Sequence, residues 1–351
     1  MKTGSAAGPD RITVLKLKRK AEETPGFLAG VYTLWLMTGR VPEKLKASRS
    51  LLLPKGSTDM LNVGNWRPLS ISSVLLRLYM KILAKRLTSA VSRHPSQRGF
   101  IPAPGVEQNS VLLVHLIRKQ KEEKGTQAVA FLDLAKAFDT ISHDLFMKGL
   151  VRLGVPTQFI KVVEDLYDGT TTTFATANGE TRQIKINQGV KQGDPLSPIL
   201  FNVCLDPMFC SLERDGKGSG SEVTNITALG YADDTAVLSD SRAGLKKNLA
   251  LVKAYCDQVG LRLNVNKSYV FHIRSDGKMF MVNDNAPYEV DGRQIPWVKP
   301  DEATRNLGKM FGLWGGMTIP NLKRQYGDTI LPQIKARILH SRPSLSLLKK
   351  A

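Results

Sequence analysis

The chain has 351 residues, 42% hydrophobic and 23% charged, a balance that excludes a disordered polymer and is long enough for about two or three subdomains. A formal net charge of +19 points to an anionic partner or to a role in solubility; a phosphate backbone is the partner that distributed Lys and Arg fit best, and a membrane surface would call for a basic amphipathic helix that the sequence does not show strongly. No apolar run reaches the roughly 18 residues of a bilayer span, no N-terminal apolar block precedes a cleavage-like site, and the three cysteines argue against a disulfide framework.

Taken in chain order, Gly4-Ser5-Ala6-Ala7-Gly8-Pro9-Asp10 predicts a flexible opening segment. The basic run Lys16-Leu17-Lys18-Arg19-Lys20 suits a nuclear-import signal, a nucleic-acid contact or, with Leu15 and Leu17 interrupting it, a solvated helix face. Ser50 to Leu53 reads as a short strand ending at Pro54-Lys55. Val74 to Leu87 reads as a helix whose apolar face carries Leu75, Leu78, Ile82 and Leu83. Pro95 to Gly105 predicts a loop, and Val111 to Lys124 a helix capped by Gly125. Ala128 to Leu132 is a continuous apolar strand that stops at Asp133. Ser142 is the expected N-cap of a helix through Leu153, closed by Gly154.

Thr170 to Ile186 alternates as a hairpin with Asn178-Gly179 at its turn. Ser197-Pro198 is expected to open a helix, with Ser197 as N-cap, and Gly216 to Ser221 to form a Gly/Ser loop. Cys204, Cys210 and Cys256 sit at no metal-binding spacing and read as small buried hydrophobes in a reducing compartment. The mixed order of strands and helices points to an α+β fold rather than regular βαβ repetition.

Tyr231-Ala232-Asp233-Asp234 carries the chemistry. Ile226, Ala228 and Leu229 lead in and Ala236, Val237 and Leu238 lead out, so both carboxylates stand at the bend of a hairpin. Neighbouring carboxylates repel unless a cation lies between them, and oxygen-only donors favour magnesium. Asp133, a polar end to an apolar strand, makes a candidate three-carboxylate cluster with this pair. Such a cluster suits two metal ions about 3.5–4 Å apart, of use in phosphoryl transfer. Gln192-Gly193-Asp194-Pro195 adds a turn where Gly193 permits close approach, and the helix start that follows offers free N–H groups.

Together these residues resemble the reverse transcriptases of non-LTR retrotransposons, and among them the R2-like group. Asn65-Trp66-Arg67-Pro68-Leu69-Ser70-Ile71 and Gln97-Arg98-Gly99-Phe100 resemble two fingers motifs of that family. Phe131 to Asp139 resembles motif A, Gln192 to Pro198 motif B, Tyr231 to Asp234 motif C, Gly260 to Lys267 motif D, and Asn306-Leu307-Gly308 the primer grip. All occur in the family's order. Group II intron and telomerase-type enzymes share the palm motifs but match less well at Asn65–Ile71 and Gln97–Phe100.

The resemblance implies an α+β right-hand polymerase. Its fingers would lie within 1–128, its palm within 129–285, and a primer grip and incomplete thumb within 286–351, as in a catalytic core without the DNA-binding fingers and endonuclease of full-length relatives. It implies RNA-directed DNA synthesis in the nucleus, with RNA template, DNA primer and deoxynucleoside triphosphates as partners and magnesium (two ions, manganese as an alternative) as cofactor. Asp133 and Asp233 would be metal ligands with the Leu134 carbonyl, and Asp234 the third carboxylate. Phe138 would exclude the ribose 2′-hydroxyl, and Gln192 with Gly193 would pack on the incoming nucleotide. Lys55 and Arg67 would grip the triphosphate, and Lys267 would protonate the leaving pyrophosphate.

His143, His115 and Asp139 read as structural or ordinary polar residues, and Thr235 replaces the more usual aliphatic residue after the aspartates. Two other functions fit parts of the pattern. An RNA-dependent RNA polymerase shares the palm, but Phe138 and Ala232 argue against it. A non-catalytic RNA-binding remnant fits the charge alone.

Overall fold

The computed structural model describes residues 1–19, 22–56, 59–176, 179–221, 224–275, 279–281, 287–298, 304–306 and 309–311. Its first half runs α1 (Val14–Arg19), α2 (Thr24–Thr38), α3 (Glu43–Lys46), β1 (Ser48–Pro54), β2 (Trp66–Ser72), α4 (Val74–Ala90), α5 (Gly105–Glu122), β3 (Thr126–Leu132), α6 (Ala137–Thr140), α7 (His143–Arg152) and α8 (Thr157–Tyr167). There follow β4 (Thr171–Thr176), β5 (Gly179–Glu180), β6 (Ile184–Lys185), α9 (Ser197–Asp215), β7 (Ser219–Ser221), β8 (Thr224–Ile226), β9 (Ala228–Tyr231), β10 (Asp234–Ser239), α10 (Arg242–Val259), β11 (Tyr269–Ser275) and β12 (Met279–Met281).

β3 is apolar along its length because its sheet is covered on both faces. It lies at the centre of an antiparallel sheet of order β12-β11-β3-β10-β9. Side-chain alternation divides its residues between two cores. Ala128, Ala130 and Leu132 join Val237, Val270 and the buried residues of α9, among them Leu200, Phe201 and Leu205. Val129 and Phe131 join Leu229, Ala236, Leu238 and Phe271 beneath Leu113, Leu116 and Ile117 of α5. The result is an α+β architecture, an antiparallel sheet packed on helices.

A second sheet, of order β2-β1-β4-β5 with β6 also on β4, carries the other half of the site. β1 and β2 pair antiparallel, Leu51 opposite Leu69, and β4 joins β1 in parallel. Its buried face is polar at one point. Ser50 Oγ bonds Ser70 Oγ at 3.1 Å and Thr172 Oγ1 at 2.8 Å, so the three hydroxyls satisfy one another.

Several local expectations need correction. The segment Gly8-Pro9-Asp10 is docked rather than flexible: Gly8 is buried on the Ser72–Ser73 backbone, and Ser73 Oγ donates to the Asp10 carboxylate at 2.5 Å. α5 starts at Gly105 rather than Val111. Gly125 is not its cap, since Glu123 holds that position and Lys124 takes the left-handed conformation at φ 54°. Ser197 is not an N-cap. Leu196 occupies that position, and Ser197 lies in the first turn within reach of the Tyr167 hydroxyl at 3.3 Å.

In α4, Leu76, Tyr79, Met80, Leu83 and Leu87 are buried, while Leu75, Leu78 and Ile82 are only half-buried. The face rotates because Tyr32 and Trp35 of α2 pack on Tyr79, Tyr32 tilted with centroids 5.1 Å apart and Trp35 edge-on at 5.2 Å. The stretch from Thr170 to Ile186 is not one hairpin, since β4 pairs with both β5 and β6. Asn178 lies outside the described residues, as do Lys20, Leu307, Gly308 and everything beyond Phe311. Ser219–Ser221, expected as loop, pairs with β8.

Other expectations hold. The Ser142 side chain accepts from Leu145 N–H at the start of α7, and Gly154 closes that helix with φ 70°. Lys16, Lys18 and Arg19 lie on a solvated face of α1. Cys204 and Cys256 are buried and Cys210 half-buried, all three free. Among the described residues no helix is long and apolar enough to cross a membrane.

Candidate active site

The site is assembled by strand register. β3 ends at Leu132 opposite Thr235 of β10, so Asp133, the next residue, emerges beside the β9–β10 turn. That turn is Ala232-Asp233, between the paired residues Tyr231 and Asp234. Ala232 stands at φ 57°, the left-handed conformation that tight hairpins demand.

Asp133 and Asp233 line one cleft of about 620 Å³ together with Lys55, Arg67, Leu134, Phe138, Gln192, Gly193 and Lys267. The remaining expected residue, Asp234, is exposed at the head of β10 and does not line the cleft. Among the described residues no group of three or more His, Cys, Asp or Glu side chains is arranged to hold a metal ion. Of the three expected carboxylates, Asp133 and Asp233 line the cleft, and Asp234 stands at the first position of β10.

Both carboxyls in the cleft are half-buried, and burial holds each above the usual carboxylate range. For Asp133 the charge of Lys267 and a hydrogen bond from the Asn264 side chain oppose that rise, while the charge of Asp233 adds to it. For Asp233 the opposing influences are a hydrogen bond from its own backbone and the charge of Arg67. Two oxygen-donor groups whose ionised forms are penalised by burial, and at Asp133 by the charge of Asp233 as well, fit a divalent cation, which removes these penalties.

The surrounding side chains are held in defined positions. Lys55 Nζ donates to the Gly64 carbonyl at 2.9 Å. Phe138 stacks on Phe201 with centroids 4.2 Å apart and planes at 5°. Gln192 Nε2 donates to Asp139 Oδ1 at 2.9 Å, which gives Asp139 a supporting contact at the cleft wall. Gly193 stands at φ 110°, and a Cβ there would lie 2.7 Å from the Ser70 carbonyl oxygen. This close approach joins the second sheet to the site, with Ser70 N–H donating to the Gln192 carbonyl at 2.8 Å. His143 is tied to the Gly189 carbonyl at 3.1 Å, and His115 is exposed on α5.

The sequence offered no role for several residues that build this site. Asn264 bonds the Asp133 carboxylate, and its N–H donates to the Asp133 carbonyl at 2.8 Å. Gln97 and Asn202 are buried amides that tie the Gln97–Phe100 segment to the β9–β10 turn and to α9, and the buried amide of Asn109 ties α5 to β9. Gln97 was visible only as part of the Gln97–Phe100 motif, and the others are single amides of a kind too common in a sequence to single out.

Residues 53–309 match the family model described as reverse transcriptase (RNA-dependent DNA polymerase). The chain is 37% identical to a retrovirus-related Pol polyprotein from a type-1 R2 retrotransposable element of Popillia japonica, over 99% of this chain and 48% of that protein. It is 32% identical to the Pol polyprotein of the type-2 element R2DM of Drosophila melanogaster, over 89% of this chain and 29% of that protein. The chain thus spans about half the length of the first of these relatives and under a third of the second. A truncated apo telomerase from Candida tropicalis superposes with a TM-score of 0.48 at 14% identity, over 69% of this chain and 53% of that one, a likeness that carries no argument about architecture. The matched stretch runs from β1 through the sheet that unites Asp133 with Asp233, and the chain belongs to the reverse transcriptase family, in its R2-like non-LTR branch.

Proposed function

We propose that the chain extends a DNA 3′-hydroxyl with deoxynucleoside triphosphates on an RNA template, at a nuclear DNA target that supplies the primer. The observation that carries the reading is the Asp133–Asp233 pair in a cleft rimmed by Lys55, Arg67 and Lys267. Fingers would lie within 1–128, the palm within 129–285, and the primer grip and start of the thumb within 286–351.

Asp133 and Asp233 are the side chains that would hold magnesium, as two ions with manganese able to substitute, helped by the Leu134 carbonyl. Bound cations of this kind acidify the attacking hydroxyl and neutralise the leaving phosphate oxygens. Lys55 and Arg67 draw the triphosphate into the cleft and offset charge on its oxygens as the α-phosphorus is attacked. Lys267, which lines the same cleft, would give a proton to the leaving pyrophosphate. Gln192, beside Gly193, offers an amide and a flat edge to the incoming nucleotide.

The test is primer extension on poly(rA)/oligo(dT) with magnesium. Incorporation that Asp233→Ala abolishes is the expected result. A folded protein that binds RNA in a salt-sensitive manner yet incorporates nothing, with or without Asp233, would leave an RNA-binding protein instead. Phe138 supplies a second readout. Its ring lines the cleft and is backed by Phe201, which supports a role against the ribose 2′-hydroxyl, so Phe138→Ala should lower discrimination against ribonucleotides about 10–100-fold. Competing dNTP and rNTP incorporation measures this, and unchanged discrimination would remove Phe138 from sugar selection.

A further inference from the structure

The turn that carries Asp233 is strained and does not hold itself. Ala232 adopts φ 57°, which a residue with a Cβ takes only at a free-energy cost, and such positions persist when their surroundings over-determine them. What surrounds it is the segment Gln97-Arg98-Gly99-Phe100. The Gln97 side chain is 4% exposed and meets both polar groups of Ala232. Its Oε1 accepts from Ala232 N–H at 2.9 Å, and its Nε2 donates to the Ala232 carbonyl at 3.0 Å. The same Oε1 accepts from Gly99 N–H at 2.9 Å, which orients the amide from within its own loop.

The approach is close enough to dictate residue type. A Cβ on Gly99 would lie 2.3 Å from Ala232 N. Backbone bonds flank the contact, Arg98 N–H to the Gly230 carbonyl and Gly230 N–H to the Ser96 carbonyl, both at 2.8 Å. Asn202 Nδ2 secures the Gly99 carbonyl at 2.8 Å, and Asn109 Nδ2 secures that of Gly230 at 3.0 Å. Buried and connected in this way, the amides leave the turn one arrangement.

We infer that Gln97 is a positioning residue for the polymerase reaction: its side-chain amide takes the place of a neighbouring strand for Ala232 and so sets where the Asp233 carboxylate stands in the cleft. The inference rests on the polymerase reading above and adds a residue that touches neither substrate nor metal. An amide is required because only a group that both donates and accepts in one plane satisfies Ala232 N–H and C=O together. Glutamate keeps the size and the acceptor but, ionised, offers no donor to the Ala232 carbonyl. Leucine offers neither.

The experiment uses Gln97→Leu and Gln97→Glu in the full chain, with two readouts. Hydrogen exchange at the Ala232 amide is expected to accelerate at least about tenfold in Gln97→Leu. In primer extension kcat is expected to fall about a hundredfold, the cost of a small misplacement at the reacting centre, with KM for the nucleotide within about threefold. Ala232→Gly added to Gln97→Leu should recover at least about tenfold of kcat, because glycine takes the left-handed conformation freely. The Gln97→Glu defect should lessen as pH is lowered and the carboxyl regains a donor.

If Gln97→Leu does not fold, Gln97→Glu, which keeps the acceptor for Ala232 N–H, carries the kcat, KM and pH readouts. Unchanged exchange at Ala232 in Gln97→Leu, a kcat loss matched by a rise in KM, or no recovery with Ala232→Gly would reduce Gln97 to core packing and overturn the inference. A wild-type chain that incorporates no nucleotide overturns the polymerase reading instead, and the Ala232 exchange rate then decides the clamp alone.

Discussion

Asp133→Asn is expected to lower nucleotide incorporation by at least about a thousandfold and, in the same protein without metal, to raise thermal stability. The first effect follows from the loss of a charged oxygen ligand, since metal-assisted charge stabilisation contributes several kcal/mol to phosphoryl transfer. The second follows from burial, which holds the Asp133 carboxyl above its ordinary value against the pull of Lys267 and Asn264. A carboxyl whose folded-state pKa is raised binds its proton more tightly in the native state. Its contribution is then fully favourable below the ordinary carboxylate pKa of about 3.9 and is lost as pH rises through the raised folded value.

At neutral pH the ionised, half-buried Asp133 is therefore a net burden on the metal-free fold, and Asn removes it. Thermal melts of wild type and Asp133→Asn across pH should show the variant more stable at neutral pH and the two curves converging in acid. Magnesium should raise the melting temperature of wild type and have little effect on the variant, because only a ligand that binds the native state stabilises it. A variant less stable than wild type at neutral pH without metal would show that Lys267 and Asn264 outweigh burial.

The second large effect is expected at Gly193. Its φ of 110° disfavours any side chain, and a Cβ would stand 2.7 Å from the Ser70 carbonyl oxygen, a backbone atom that cannot swing aside. Strain and clash together predict a loss of about 2–4 kcal/mol for Gly193→Ala, or about 3–5 °C in Tm. The damage does not stay local. Ser70 N–H bonds the Gln192 carbonyl at 2.8 Å, so pushing the two segments apart also moves Gln192, and KM for the nucleotide should rise with the fall in stability. Gly154→Ala is the control. Gly154 also has positive φ, 70°, but nothing lies within 4 Å of its Cβ position, so it should cost only about 1 kcal/mol with kinetics unchanged. Equal costs at the two glycines would remove the Ser70 contact from the explanation.

The sequence alone determined much of the frame. The apolar run from Ala128 to Leu132 reads as a strand and the apolar flanks of Tyr231–Asp234 as a hairpin, because those patterns depend on short-range side-chain order. Ser142 as a cap was legible because its hydrogen bond closes within three residues. Tertiary structure alone decided what those elements meet. The pairing of Leu132 with Thr235 brings Asp133 beside the turn that carries Asp233, while Asp234 is exposed at the head of β10.

Contacts across long separations left no trace in local pattern. Gln97 reaches Ala232 across 135 residues, Asp10 reaches Ser73 across 63, and the rotated face of α4 answers to Tyr32 and Trp35 of another helix. Period and capping are short-range physics and can be read along the chain, whereas register and close backbone approach arise only when distant segments share one packed interior.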